Sequence, residues 1–512
     1  MRSSRVGAVS GVVVLVAGCN VLLGLGDKSV AVNDGGADAP SGDAGDTGAE
    51  AADSGSKDVA AETGDADTGA DSSSCGNGVL DPGEACDPSA PDGGTVPACA
   101  GLFGHGATGT AKCSSCTLDD SDCTLPQLQT GSPWPMFART LTHSSRSSAH
   151  GPHTMPAAGK IQTVFTMSSG NVRYASAVID KQGTVYQGVV DSTRAESGLW
   201  IHPRGAGTIT SQAVPLTSAD TSDCGLVGSL AIAADGTIYG QTGSGWLYVY
   251  RPSADAGGFA VTAIQLSIAT PNCSTGLMGG PAIDADGTVY VTLADGLYSY
   301  TPSTGVTHAI VNCPAHYPAV IAADGTVYWV GYYAPSVVCG YTPSTGAQSM
   351  SAPFTLESTV SPVITLDGRI VVAMSFVPGG IYSVAPPIAT ASIGTLLTPG
   401  VFGIGPAVGG DGTLYAASFG GKIYAVDADA TAQENPRWTA VPGGDLGSTP
   451  VVDADGYTYV IAEDGTLDVT APSGQPAWST QLAGGTSDYN AAMDSDGTLY
   501  VGANSRVYAI SP

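Results

Sequence analysis

Ala282-Ile283-Asp284-Ala285-Asp286-Gly287-Thr288-Val289-Tyr290-Val291 holds the fold in ten residues. Two apolar residues run into an acidic turn that ends in Gly, and alternating β-formers leave it. Gly supplies the positive φ that a tight hairpin turn needs, and Thr-Val-Tyr gives the period-2 pattern of a strand. The pattern returns along the chain with turn glycines at Gly183, Gly236, Gly287, Gly325, Gly368, Gly412, Gly456 and Gly497, spaced by 53, 51, 38, 43, 44, 44 and 41 residues. That spacing brackets the period of roughly 40 to 50 residues of four-stranded propeller blades. A second short strand follows most turns, as in Trp246-Leu247-Tyr248-Val249-Tyr250 and Lys422-Ile423-Tyr424-Ala425-Val426. Three strands per repeat are thus visible, and the weaker stretch before the next turn must hold the fourth. The sequence predicts an all-β chain whose residues 131–512 form an eight-bladed β-propeller, a ring that leaves no long exposed edge. The structural rival, a β-solenoid, has shorter and more uniform coils.

Composition agrees. The 512 residues include 71 Gly, and only 12% are charged, which suits many tight turns between short, weakly charged strands. Lys and Arg number 17 against 45 Asp and Glu, a net charge of -28 that repels phosphate backbones, so nucleic acid is excluded as a partner.

Ahead of the repeats the chain changes character three times. Residues 1–18 carry Arg2 and Arg5, an apolar run over 12–16 and then Ala17-Gly18, the order of a secretory signal. The run is too short to cross the ~30 Å hydrocarbon core as a helix. Val16-Ala17-Gly18-Cys19 resembles the bacterial lipobox, which implies acylation of Cys19, cleavage before it and anchoring by lipid. Asn20 stands where an Asp often signals retention in the inner membrane, so the resemblance points to the outer membrane or cell surface. The rest of residues 19–74, almost wholly Asp, Ala, Gly, Ser, Thr and Glu after residue 26, has no aromatic residue to build a core and reads as a disordered tether. As a coil it would span ~40 Å.

Residues 75–124 contain Cys75, Cys86, Cys99, Cys113, Cys116 and Cys123. Cys113-Ser114-Ser115-Cys116 has a spacing that also suits zinc or a redox dithiol, but no second such pair exists. In an exported chain an even set of six reads as three disulfides, with the pairing left open. Cys75-Gly76-Asn77-Gly78-Val79-Leu80-Asp81-Pro82-Gly83-Glu84-Ala85-Cys86-Asp87 resembles the opening of cysteine-rich repeats of myxobacterial secreted proteins, extracellular spacers or recognition modules.

Within the repeats the resemblance is to PQQ-like propellers, the quinoprotein alcohol dehydrogenase-like superfamily. Trp134-Pro135-Met136-Phe137 with Thr140, His143 and Ser144 looks like their opening segment, and Asp284 to Val291 with Tyr300-Thr301-Pro302-Ser303-Thr304-Gly305 looks like their blade repeat. The superfamily includes both quinoprotein dehydrogenases and the propeller lipoprotein of the outer-membrane assembly machine, so fold does not choose the function.

The residues argue against catalysis. A quinoprotein needs a Ca2+-held PQQ and a base, and the alcohol dehydrogenases add an adjacent-cysteine disulfide that is absent here. Cys224, Cys273, Cys313 and Cys339 are far apart and read as structural staples, such as Cys224 with Cys273 between neighbouring blades. The Asp-x-Asp-Gly turns lack the distant Glu of an EF-hand loop and are explained by turn chemistry. His150 and His153 lie in a Gly/Pro loop and need further ligands to hold a metal, so they read as surface. The 21 Tyr read mainly as strand and core residues. The expectation is a monomeric, lipid-anchored envelope protein without cofactor, metal or catalytic residues, bound to an unknown envelope protein or glycan. A PQQ-dependent oxidoreductase and a surface carbohydrate-binding protein are the alternatives. The propeller is expected to fold without the tether and the cysteine module.

Overall fold

Each acidic turn closes the same way in the computed structural model. At the third repeat Gly287 N donates to Asp284 O at 2.9 Å, Asp284 N to Thr288 O at 2.9 Å, and Thr288 N to the Asp286 carboxylate at 2.8 Å. The carboxylate cap recurs from Asp235 to Thr237 N, Asp324 to Thr326 N, Asp411 to Thr413 N and Asp496 to Thr498 N. The eight turn glycines all sit at φ between +77° and +84°, where a Cβ is strained.

The structure describes residues 75–512, apart from 80–85, 90–95, 169–175, 192–196, 207–212, 216–224, 254–257, 268–278, 312, 332–334, 355–357, 359, 376–378, 389–393, 429, 431, 483–489 and 504. Eight antiparallel four-stranded sheets follow one another in the chain. We number them blades 1 to 8 from the turn at Gly183 to the turn at Gly497. Seven blades take their strands consecutively; the first, for example, comprises Val178–Ile179, Val185–Val189, Gly198–His202 and Ala213–Pro215. Blade 8 has Ala492–Met493, Leu499–Ala503 and Arg506–Ile510, and its outermost strand is Ile161–Thr166, from before blade 1. The start of the repeat region therefore closes the ring by pairing Ile161 with Ile510 and Thr166 with Arg506.

Burial follows the strand order. Second strands such as Val289–Leu293 and Leu499–Ala503 are buried throughout, whereas the outermost strand Ala347–Met350 is mostly exposed. Pro215, Pro399 and Pro476 all lie on outermost strands, where a missing N–H breaks no ladder. Apolar side chains of neighbouring blades interleave: Val178 and Leu199 of blade 1 cluster with Leu226 and Tyr248 of blade 2, and Val320 and Val338 of blade 4 with Ile370 and Val384 of blade 5. Each fully buried aliphatic contributes roughly 1.5–3 kcal/mol, realised only when the next blade is in place. The turn tyrosines Tyr239, Tyr290, Tyr328, Tyr415, Tyr459 and Tyr500 are buried in these seams.

The cysteine module is built on three disulfides, Cys75–Cys116, Cys86–Cys113 and Cys99–Cys123, around a short helix Cys99–Phe103 and a hairpin of Lys112–Ser114 with Thr117–Asp119. Cys313 pairs with Cys339, tying the chain before blade 4 to that blade's third strand. Cys19, the acidic tether, Cys224 and Cys273 lie outside the described residues.

Candidate functional site

On the face of the ring that carries the acidic turns, a segment of the chain itself lies against the inner strands. Residues 134–149 run across the inner strands and meet them blade by blade through main-chain bonds. Trp134 O accepts from Ile179 N of blade 1, Pro135 O from Ile232 N of blade 2, and Leu141 O from Ile321 N of blade 4. Thr142 O, Ser144 O and Ser145 O accept in turn from Ile364 N, Val408 N and Val452 N of blades 5, 6 and 7, with all six bonds between 2.8 and 3.0 Å. The donor is in every case the last residue of that blade's inner strand. To bring its carbonyls round the axis this plug coils tightly, with Ala138, Arg139, His143 and Ser145 at φ of 49°, 72°, 58° and 52°. Each such residue costs of order 1–3 kcal/mol and persists only where its surroundings hold it. His143 shows how: its ring is buried, edge-on to Phe137 at 4.9 Å, with Nδ1 2.7 Å from Ser361 Oγ. Burial holds its pKa down to about 3, so the ring is neutral.

The cysteine module lies on the plug. Phe103 O accepts from Leu141 N, and Leu102 O from the Thr142 hydroxyl at 2.8 Å. Cys99, Leu102, Phe103, Leu118 and Cys123 belong to one apolar cluster with Met136 and Leu141 of the plug and Ile283, Val289 and Val327 of the blades. The module is therefore no separate spacer, and the expectation that the propeller folds without it meets a shared core. Asp120 pins the joint: fully buried, it lies against both Arg139 and Arg146 of the plug. Burial alone would raise its pKa, but the two guanidinium charges outweigh that and hold it at about 2. His105 reaches the blade 3 turn, with Nδ1 2.6 Å from Asp284 Oδ1.

Among the clefts on this face, two adjoin the plug. One, of about 300 Å³, lies where the module, residues 128–135 and the end of the plug meet. The other, of about 260 Å³, lies between blades 6 and 7 and is lined by Arg146, Asp411, Tyr415, Arg437, Trp438 and Asp455. Arg437 bridges Asp411 at 3.1 Å, and Trp438 Nε1 donates to Pro472 O at 2.8 Å. Beside this second cleft the chain leaving the plug brings His150 and His153 onto the blade 7 turn. His153 Nε2 is 2.6 Å from Asp453 Oδ2 and 3.4 Å from Asp455 Oδ2, and His150 Nδ1 is 2.6 Å from Asp455 Oδ2. The partners of these histidines thus come from some 300 residues downstream. A signal for them exists: only some repeats carry Asp both one and three residues before the turn Gly, as at Asp284 and Asp286, Asp453 and Asp455, and Asp494 and Asp496. Each of these pairs meets a basic side chain from elsewhere, His105, His153 and Arg204 respectively. The turn glycines share this face, whereas the six module cysteines and Cys313 with Cys339 are occupied in disulfides.

Blade number and turn chemistry define an eight-bladed β-propeller. Residues 357–512, spanning blades 5 to 8, match the family model described as outer membrane protein assembly factor BamB. Among solved structures the chain is similar to quinohemoprotein alcohol dehydrogenase from Comamonas testosteroni, at 11% identity and a TM-score of 0.51, covering 75% of this chain and 81% of that one. It is also similar to the computationally designed Ika8 protein, at 12% identity and a TM-score of 0.50, covering 69% of this chain and all of the other. At these identities the likeness is one of fold. No curated protein sequence matches the chain. Among the described residues no helix is long and apolar enough to cross a membrane.

Proposed function

We propose that this protein is an exported lipoprotein, held at the outer membrane or cell surface through Cys19, whose propeller serves as a non-catalytic interaction scaffold. The observation that carries the reading is the engaged plug: six of its carbonyls are already accepting from the inner strands, and its two buried arginines are taken by Asp120. A quinone cofactor with its Ca2+ needs free oxygen ligands and stacking surfaces about a base. The plug's carbonyls and Asp120, each already engaged, supply no such ligands. The match of blades 5 to 8 to an outer-membrane assembly factor supports an envelope setting, as does the disulfide-built module.

The experiment is capture of the lipidated full-length protein from its own envelope, with a glycan array as a parallel arm because Tyr415 and Trp438 border the blade 6 and 7 cleft. Co-purification of a defined envelope protein is expected. Micromolar binding of PQQ with Ca2+ by calorimetry, followed by dye-linked turnover of alcohols or aldoses, would overturn the proposal in favour of an oxidoreductase; glycan binding alone would replace the protein partner with a carbohydrate one.

A further inference from the structure

We propose that His150, His153, Asp453 and Asp455 form a binding site for one divalent transition-metal ion of the Zn2+ class, fastening the end of the plug to blade 7. Nothing in the propeller's architecture requires imidazoles there. The blade 8 turn presents the same pair of carboxylates, Asp494 and Asp496, and meets them with the single guanidinium of Arg204. Blade 7 instead receives two imidazoles from one short loop, and two nitrogens with two carboxylate oxygens are a ligand set suited to Zn2+.

The distances support this. His153 Nε2, Asp453 and Asp455 offer one ligand atom each within 4.8 Å of one another. Tetrahedral Zn2+ with bonds of about 2.0–2.2 Å sets its ligand atoms roughly 3.3–3.5 Å apart. His153 Nε2 and Asp455 Oδ2 are already 3.4 Å apart and the 2.6 Å His153–Asp453 pair must open by under about 1 Å, whereas His150, exposed and set against Asp455 alone, must swing inward to complete the set.

The ligands are also held as metal ligands usually are, by a second layer of contacts. Asp453 is fully buried on its side chain; its Oδ1 accepts from Asp455 N and Tyr457 N, and its Oδ2 from Tyr459 Oη at 3.0 Å and Gly151 N at 3.1 Å. His153 stacks on Tyr457 with ring centres 3.9 Å apart and planes within 9°. Gly151 lets the loop come this close, since a Cβ there would fall 2.3 Å from Tyr459 Oη. His150 and Asp455 face solvent, which gives the ion a way in.

The test is titration of chelator-stripped, tag-free full-length protein with Zn2+ by calorimetry, and with Co2+ by visible absorption, whose intensity reports four-coordinate geometry. One ion per chain is expected, with the intense bands of tetrahedral Co2+. His153→Gln and Asp455→Asn should each weaken binding by at least about 100-fold and abolish those bands. His150 is exposed enough that His150→Gln leaves the fold intact, and it should weaken binding at least about tenfold. His105→Gln, at the other histidine-bearing turn, should change nothing. Absence of Zn2+ binding, or equal binding by the His153 and His150 variants and the parent protein, would overturn the proposal.

Discussion

Asp120 Oδ2 lies 3.1 Å from Arg139 Nη1, both groups shut off from solvent, so that one carboxylate of the cysteine module is the counter-ion of the segment that closes the propeller. Losing it strands two buried guanidinium groups. Asp120→Ala should cost about 3–5 kcal/mol, read as a fall in denaturant midpoint with an unchanged slope. Because the folded pKa lies below the ordinary carboxylate value, this contribution is complete above about pH 4 and fades as pH falls towards about 2.

His143 has the opposite sensitivity. It is neutral and buried in the fold, with a pKa near 3, while the unfolded chain protonates it near 6.5. Stability should therefore be full above about pH 6.5 and decline as pH drops from there towards 3, with His316, held down to about 4 by burial, adding to the slope. A neutral replacement, His143→Gln, should flatten part of that decline in melts recorded from pH 7.5 to 4.5; an unchanged slope would mean the ring does not sit as described.

The docking of the module is open to a smaller change. At Gly104, with φ of 99°, an added Cβ would meet both Ile321 O and Leu141 Cβ at 2.6 Å. Gly104→Ala should destabilise the whole propeller by about 1–3 kcal/mol, read as a lower denaturant midpoint, and raise binding of a hydrophobic dye. Removal of residues 75–124 should do more, because Leu128, Met136, Leu141 and Ile283 lose their cover. A truncated chain that melts like the parent would restore the view of an independent propeller.

Phe165, fully buried on the strand that closes blade 8, packs edge-on to Trp200 of blade 1 at 5.7 Å. Phe165→Ala should cost about 3–5 kcal/mol and act on the whole ring, since it loosens the seam where last and first blades meet. Calorimetry should show one shifted transition and not a new early one.

Cys19→Ala should release the protein from membranes into the soluble fraction, because the apolar run before it is too short to span. An unmodified peptide covering residues 15–25 in the mature protein, found by mass spectrometry, would remove the anchor.

What was legible in the sequence is what side chains write into it. The eight turn glycines and the acidic residue before most of them announce the hairpins, because positive φ and an Asp cap each demand a particular residue type. The six clustered cysteines announce a disulfide module for the same reason. The plug left only a family likeness. Its bonds to the blades use carbonyl oxygens, which every residue has, and its left-handed turns fall on Ala138, Arg139, His143 and Ser145, none of them Gly. Asp120 with Arg146, and His153 with Asp453, could not be paired in advance, since both contacts depend on how the module and plug lie across the ring.

Viewed down its axis, a ring of eight like blades is nearly symmetric, and nothing in the repeat itself says which blade is which. The plug supplies that address. Residue 134 belongs to blade 1, 141 to blade 4 and 145 to blade 7, so the segment works as a template of fixed length laid against the ring. Gain or loss of a single repeat would put every later carbonyl out of step with its blade. The plug thereby ties six blades, 1, 2 and 4 to 7, each to its own point on one short segment.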